Sequence, residues 1–142
     1  MKKILYILCV LLVIAGCGKS GEEKKTLTEQ LYGEWHSTSL SVSGDVYINF
    51  TEAKTFELYQ KIGEGAYRLY RGTWNVEEDL LTGKYNDGED WASAYRIKIE
   101  DNKLTMTSMN DASEVTTYTA AMIPEDVMRG CEIVVKSAEA GF

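Results

Sequence analysis

Only one histidine, His36, occurs in this chain of 142 residues, and that restricts its chemistry at once. A metal site built from several histidines is impossible, and any serine–histidine–aspartate set would have to use His36. Alternation places His36 beside Trp35 on a strand. No Gly-x-Ser-x-Gly elbow or phosphate-cradling glycine loop accompanies it. His36 is therefore expected to be an exposed strand residue rather than a catalytic base. The acidic turn Asn86-Asp87-Gly88-Glu89-Asp90 offers oxygens, but it lacks the alternating ligands and bidentate glutamate of a calcium loop. Asp-Gly between strands is ordinary hairpin chemistry. No carboxylate pair is singled out by spacing for glycoside hydrolysis. The reading is a non-enzyme with no metal and no cofactor.

The residues that can hold a molecule are aromatic: nine Tyr, three Trp and three Phe. Strand alternation directs Trp35, Phe50, Phe56, Leu58, Tyr70, Trp74, Trp91, Tyr95 and Met106 to one side, and these nine are the candidate ligand-binding residues. Gln60, Ser93 and Thr117 are expected on that side too, along with the tyrosines. Polar groups are costly in a dry core unless paired, so their presence inside favours a partly wet mouth.

The elements that must position these side chains follow from periodicity and turns. Thr26 to Gly33 reads as one or two helical turns, with Thr26 as cap, Glu29 completing a capping box and Gly33 as a left-handed stop. From Trp35 onward the apolar period is two. Turn signals recur every ten to twelve residues, for example Ser43-Gly44-Asp45, Gly63-Glu64-Gly65, Asp87-Gly88 and Asp101-Asn102. Eight strands are predicted, near 34–42, 46–51, 55–62, 66–76, 80–86, 91–100, 103–109 and 114–121. No crossover helix separates them, so the sheet is antiparallel. Such a meander hides its edges best by closing into an up-and-down barrel, with a two-sheet sandwich as the other architecture. Pro124-Glu125-Asp126 opens a short helix, and Glu132 to Lys136, apolar at Ile133, Val134 and Val135, forms a last strand or clamp. An eight-stranded barrel either fills with side chains or holds one small ligand.

The amino terminus speaks to location. Lys2 and Lys3 precede an apolar run from Ile4 to Ile14, too short to span a bilayer, which ends in Ala15-Gly16-Cys17. The pattern resembles a bacterial lipoprotein box. That resemblance implies cleavage before Cys17 and acylation there, palmitate among the chains, with the membrane as partner through those chains. Residues 1–16 are then a signal peptide, 17–25 the lipidated cysteine and a polar tether, and 26–142 the barrel domain. Removing the leader leaves 126 of the 142 residues and, with its two lysines gone, takes the net charge from −7 to −9. That balance argues against nucleic acid as a partner. Cys9 leaves with the leader and Cys17 is acylated, so Cys131 has no disulfide mate and is expected as a small buried residue. The expected location is the cell envelope, at the outer membrane. Whether it faces the periplasm or the surface stays open.

Leu31-Tyr32-Gly33-Glu34-Trp35 resembles the first motif of lipocalins, a glycine and a tryptophan two residues later. Arg71-Gly72-Thr73-Trp74-Asn75-Val76 and Ile123-Pro124-Glu125-Asp126-Val127 resemble the lipocalin-like lipoproteins of Bacteroidota, and the likeness covers roughly 27–137. The resemblance implies an all-β, eight-stranded calycin-type barrel whose first tryptophan packs across the closed end, and Arg129 is the candidate for the arginine that packs on it. The second lipocalin motif has no match here. Fold does not give function, so two readings stand. One is a lipid-anchored protein binding a small hydrophobic or amphipathic ligand in the barrel. The other is a side-chain-filled structural or protein-interaction scaffold.

Overall fold

The period-two sequence forms strand almost throughout in the computed structural model, which describes residues 24–39 and 44–135. A short helix α1 (Leu27–Leu31) precedes eight strands: β1 (Gly33–Ser39), β2 (Asp45–Phe50), β3 (Thr55–Lys61), β4 (Arg68–Glu77), β5 (Leu80–Tyr85), β6 (Tyr95–Glu100), β7 (Lys103–Ser108) and β8 (Val115–Ala120). Helix α2 (Glu125–Gly130) and the short strand β9 (Glu132–Ile133) follow. The leader, Cys17 and most of the tether lie outside the described residues, as do 40–43 at the predicted end of the first strand.

Each strand pairs antiparallel with the next, and β8 returns to β1 with Trp35 opposite Ala120 and Ser37 opposite Tyr118. The sheet is thereby a closed eight-stranded up-and-down barrel, not a sandwich, and closure leaves no long edge to pair with other chains. Register carries one inward row round the wall: Trp35 faces Ile48, Phe56 faces Gly72, Trp74 faces Gly83 and Ile97 faces Met106. Residues directly opposite share a face of the sheet, so the apolar set converges on the axis.

Sequence chemistry sets the two ends apart. Thr26 caps α1 with the predicted box: its hydroxyl accepts from the Glu29 amide at 3.2 Å, and its own amide donates to Glu29 Oε2 at 2.7 Å. The helix closes one end beside short turns at 51–54, 78–79 and 101–102. Asp101 and Asn102 both take left-handed φ, 50° and 59°, the conformation a two-residue hairpin turn needs. Gly33, at φ 124°, lets the chain leave α1 for β1. The other end carries the longer loops 62–67, 86–94 and 109–114.

After β8 the chain crosses the outside of the barrel. The Ile123 amide donates to Glu34 Oε2 at 3.0 Å, and Ile123 and Val127 then pack on Tyr59 and Leu69. Strand β9 runs parallel to β4 at Arg68 and Leu69, on the stretch of β4 that β5 leaves uncovered. The predicted final clamp is thus present, and the α2 segment before it buries Tyr59, which alternation points outward.

Two details correct the sequence reading. The sixth strand begins at Tyr95, not 91, and pairs with β5 only at Leu80–Arg96 and Leu81–Tyr95. The gap is filled by the loop: the Trp91 amide donates to the Gly83 carbonyl at 2.9 Å, and the indole turns into the barrel. Second, Thr116 stands opposite inward Met106, so Thr117 lies on the outer face. A bulge between Ser37 and Ser39, where β1 meets β8, breaks the simple alternation there.

Gly83 makes the Trp91 arrangement possible. A Cβ at this position would sit 2.1 Å from the indole. Gly83→Ala is predicted to destabilise the fold by about 1–3 kcal/mol, the usual cost of overpacking, as read by urea unfolding. An unchanged midpoint would show that Trp91 does not rest there.

Candidate functional site: the open end of the barrel

The closed half of the interior is packed. Phe50, Phe56, Leu58 and Met106 are at most 1% exposed, and Trp35, Trp74 and Trp91 are also buried. Rings meet edge to face: Phe50 and Trp74 at 5.5 Å, Phe56 and Trp91 at 5.1 Å, Trp91 and Tyr95 at 6.2 Å. Trp35 donates from Nε1 to the Leu31 carbonyl at 2.9 Å, tying α1 across the closed end. Eight of the nine candidate residues are therefore buried core, and Tyr95 is half-buried on the same inward row.

No arginine packs on Trp35 from the position proposed for it. Arg129 lies exposed on α2, its guanidinium 2.5 Å from Glu125. A cation that does lie over rings at this end is Lys54, whose ammonium sits 4.4 Å from the Trp74 ring and 5.4 Å from Tyr32. The motif alone could not show this, because Lys54 comes from the β2–β3 turn, where it holds a left-handed φ of 63°.

The open end is different in chemistry. A pocket of about 470 Å³ opens between the β3–β4 hairpin and β9, lined by Gln60, Ile62, Glu64, Arg68, Tyr70 and Glu132 among others. Register explains the lining: Arg68 stands opposite Gln60 and shares its face with Tyr70 two residues on. Of the nine candidate residues only Tyr70 lines this pocket. Arg68 and Glu132 were missed, although the Arg68, Tyr70, Gly72, Trp74 alternation carries the signal for Arg68. Nearby, Ser93 and Ser108 pair their hydroxyls at 2.9 Å, which removes the cost of burying them. Tyr85 lies one ring from Tyr70, centroids 6.3 Å apart. Its hydroxyl is buried without a hydrogen-bond partner among the described residues. Burial, helped by the neighbouring phenols of Tyr95 and Tyr70, pushes its titration far above the ordinary phenol value.

On the outer wall His36 is not the free strand residue that alternation suggests. It is half-buried, stacked on Tyr47 at 4.2 Å, with Nε2 2.5 Å from Asp45 Oδ1. Tyr67 donates to the other Asp45 oxygen at 2.6 Å. Asp45 thus ties β1, β2 and the β3–β4 loop together, and that loop forms one wall of the pocket. Burial opposes the Asp45 charge, but the hydrogen bonds from Tyr67 and His36 outweigh it and hold the carboxyl below its usual range. Beside this cluster, burial pushes the Tyr59 phenol up to about 12. Cys131 is half-buried rather than buried, its thiol donating to the Met128 carbonyl at 3.2 Å. Among the described residues no group of acidic, histidine or cysteine side chains could hold a metal ion.

Asp45→Asn should lower stability at neutral pH by about 1 kcal/mol, at the low end for charged hydrogen bonds because the carboxylate is part exposed. The folded carboxyl titrates below its ordinary value near 3.8, so its contribution is present above that value. It disappears as the pH falls through the folded value. Unfolding curves of the two proteins should therefore differ at pH 7 and converge in strong acid; a constant difference would contradict the pairing.

Comparison with known proteins agrees with this architecture. A family described as a lipocalin-like domain matches residues 27–106. None of the curated proteins matches the chain. A solved structure described as the NMR structure of the protein from Bacteroides uniformis ATCC 8492 is similar in fold, with a TM-score of 0.51 at 20% identity. That likeness covers 69% of this chain and 96% of the other. With the match extending over more than half its length and the closed eight-stranded barrel in place, the chain belongs to the lipocalin-like domain family.

Proposed function

We propose that this protein is a lipid-anchored binder of the cell envelope that holds a small amphipathic molecule at the open end of its barrel. The observation that carries the reading is the 470 Å³ pocket, walled by Gln60, Arg68 and Glu132 at its rim and floored by the Tyr70 ring. An amphipathic molecule fits that gradient: its polar end meets the charged rim and its apolar end meets rings. The anchor rests on the sequence Ala15-Gly16-Cys17 behind an apolar leader. Each buried acyl methylene adds about 0.8 kcal/mol, so two or more chains hold a protein stably. The reading assigns no reaction to the barrel.

The second reading, a filled scaffold that binds another protein, draws on the closed half. Phe50, Phe56, Leu58, Leu81, Leu104 and Met106 are all at most 1% exposed there. This packing leaves no room for a ligand among these side chains.

Native mass spectrometry of the soluble 18–142 domain, mixed with an envelope lipid extract, separates the two. A discrete added mass is expected, and it should be lost when Gln60 and Arg68 are both changed to Ala while the melting temperature stays within a few degrees. Trp74→Ala, by contrast, should cost about 3–5 kcal/mol of stability, as large core truncations do. A bare protein mass throughout would favour the scaffold. For the anchor, Cys17→Ser should move the protein from the membrane to the soluble fraction and abolish labelling with radioactive palmitate. Unchanged labelling would refute it.

A further inference from the structure

Register stacks the open-end pocket in two levels. Gln60 of β3 stands opposite Arg68 of β4, and Arg68 stands beside Glu132 of β9. Amide, guanidinium and carboxylate thus form one row across three strands. Backbone holds the β9 end of the row: the Glu132 amide donates to the Tyr67 carbonyl at 2.8 Å, and the Val134 amide to the Leu69 carbonyl at 2.9 Å. Val134 packs on the barrel core, which puts Glu132, two residues earlier, on the inward face as well. One level deeper Leu58 faces Tyr70, and both are at most 1% exposed. The pocket therefore ends at the Tyr70 ring. That ring and the exposed side chain of Ile62 give it apolar surface.

The charges lining the pocket are one base, Arg68, and two acids, Glu64 and Glu132. A lone anion drawn to Arg68 meets both carboxylates, and the chain as a whole, at −7, repels it. A lone cation drawn to Glu132 meets Arg68 on the neighbouring strand. A molecule carrying both signs a short distance apart sets each against its opposite. Adjacent strands lie about 4.8 Å apart, so the two charges of such a head need only one or two carbons between them.

Resting on the reading that the open end binds a small amphipathic molecule, we propose that the head of that molecule is a zwitterion: an ammonium one or two carbons from a carboxylate or phosphate. Arg68 and the Gln60 amide donate to the acidic oxygens, and Glu132 accepts from the ammonium. The body is short and apolar and lies on the Tyr70 ring beside Ile62. Its size follows from the floor one level down and from a volume of 470 Å³, toward the lower end of the roughly 300–1,000 Å³ of ligand sites.

The test uses probes that share a phenyl body and differ in the head. Phenylalanine carries both charges, 3-phenylpropanoate lacks the ammonium, and 2-phenylethylamine lacks the acid. Benzyl 2-aminoethyl phosphate carries a phosphate in place of the carboxylate. Each is titrated calorimetrically into the full-length protein held in phosphatidylcholine nanodiscs, with empty nanodiscs as the blank. Phenylalanine is expected to bind about tenfold more tightly than either singly charged analogue, the effect of one charge-assisted hydrogen bond near the surface. Glu132→Gln should close the gap between phenylalanine and 3-phenylpropanoate. Arg68→Gln should close the gap between phenylalanine and 2-phenylethylamine. Both side chains are exposed, so the melting temperature should stay within a few degrees of the parent. Gaps that persist in the variants would overturn the roles of Glu132 and Arg68. A singly charged analogue that binds the unsubstituted protein as tightly as phenylalanine would overturn the zwitterion and leave the open-end site standing. Tighter binding of the phosphate probe would assign the head to a lipid, and tighter binding of phenylalanine to an amino acid; either order upholds the class. If no probe binds, the class falls: a mass gained from the lipid extract then keeps the broader reading, and a bare mass ends both.

Discussion

The structure depends on one constraint: an eight-stranded wall encloses a fixed cross-section, and large aromatic side chains must share it. The wall yields where glycine stands. At Gly72 a Cβ would lie 1.9 Å from the Lys84 carbonyl oxygen and 2.8 Å from the Phe56 ring. At Gly83 it would strike the Trp91 indole. These two positions let Phe56 and Trp91 reach the axis, and Phe56 in turn contacts Tyr85. An interior filled this way behaves like a crystal of side chains, in which a change at one ring is felt by its neighbours.

Filling is uneven, and the unevenness makes the site. Helix α1, the Trp35–Leu31 hydrogen bond and Lys54 over Trp74 close one end. At the other end the strands give way to longer loops, and β9 meets β4 at Arg68. Inward positions there carry Gln60, Arg68 and Tyr70 in place of aliphatic residues. Asp45, linked to both His36 and Tyr67, holds the β3–β4 loop against the barrel and so supports the pocket wall from outside. The charge inventory fits the same picture. The rim mixes Arg68 with Glu64 and Glu132 rather than presenting one sign, which suits a small molecule with a polar end better than a polyanion.

Much of this was legible in the residues. Alternation from Val46 to Phe50, and from Tyr70 to Val76, gave strands and their buried faces directly, because side chains repeat every two residues. The capping box at Thr26 and the two-residue turn at Asp101-Asn102 were local signals that hold. What sequence could not convey is non-local. Trp91 looks like the start of a strand, yet it belongs to a loop whose indole rests on Gly83, and nothing near Trp91 announces that partner. Tyr59 reads as outward and is buried only because α2 returns over it. His36 reads as exposed because Asp45 and Tyr47 reach it across a strand pair rather than along the chain. The inward list named the core correctly, but depth along the barrel axis decides which members can meet a ligand. That depth is set by register, which alternation leaves undetermined.

The central claim is that the interior divides into a packed closed half and a receptive open half. Amide shifts in a ¹H–¹⁵N spectrum of the soluble domain, recorded as envelope lipid extract is added, test that division directly. The account predicts movement at Gln60, Arg68 and Tyr70, with Leu31, Trp35, Trp74 and Leu104 unmoved. Shifts centred on the closed end, or none anywhere, would contradict it.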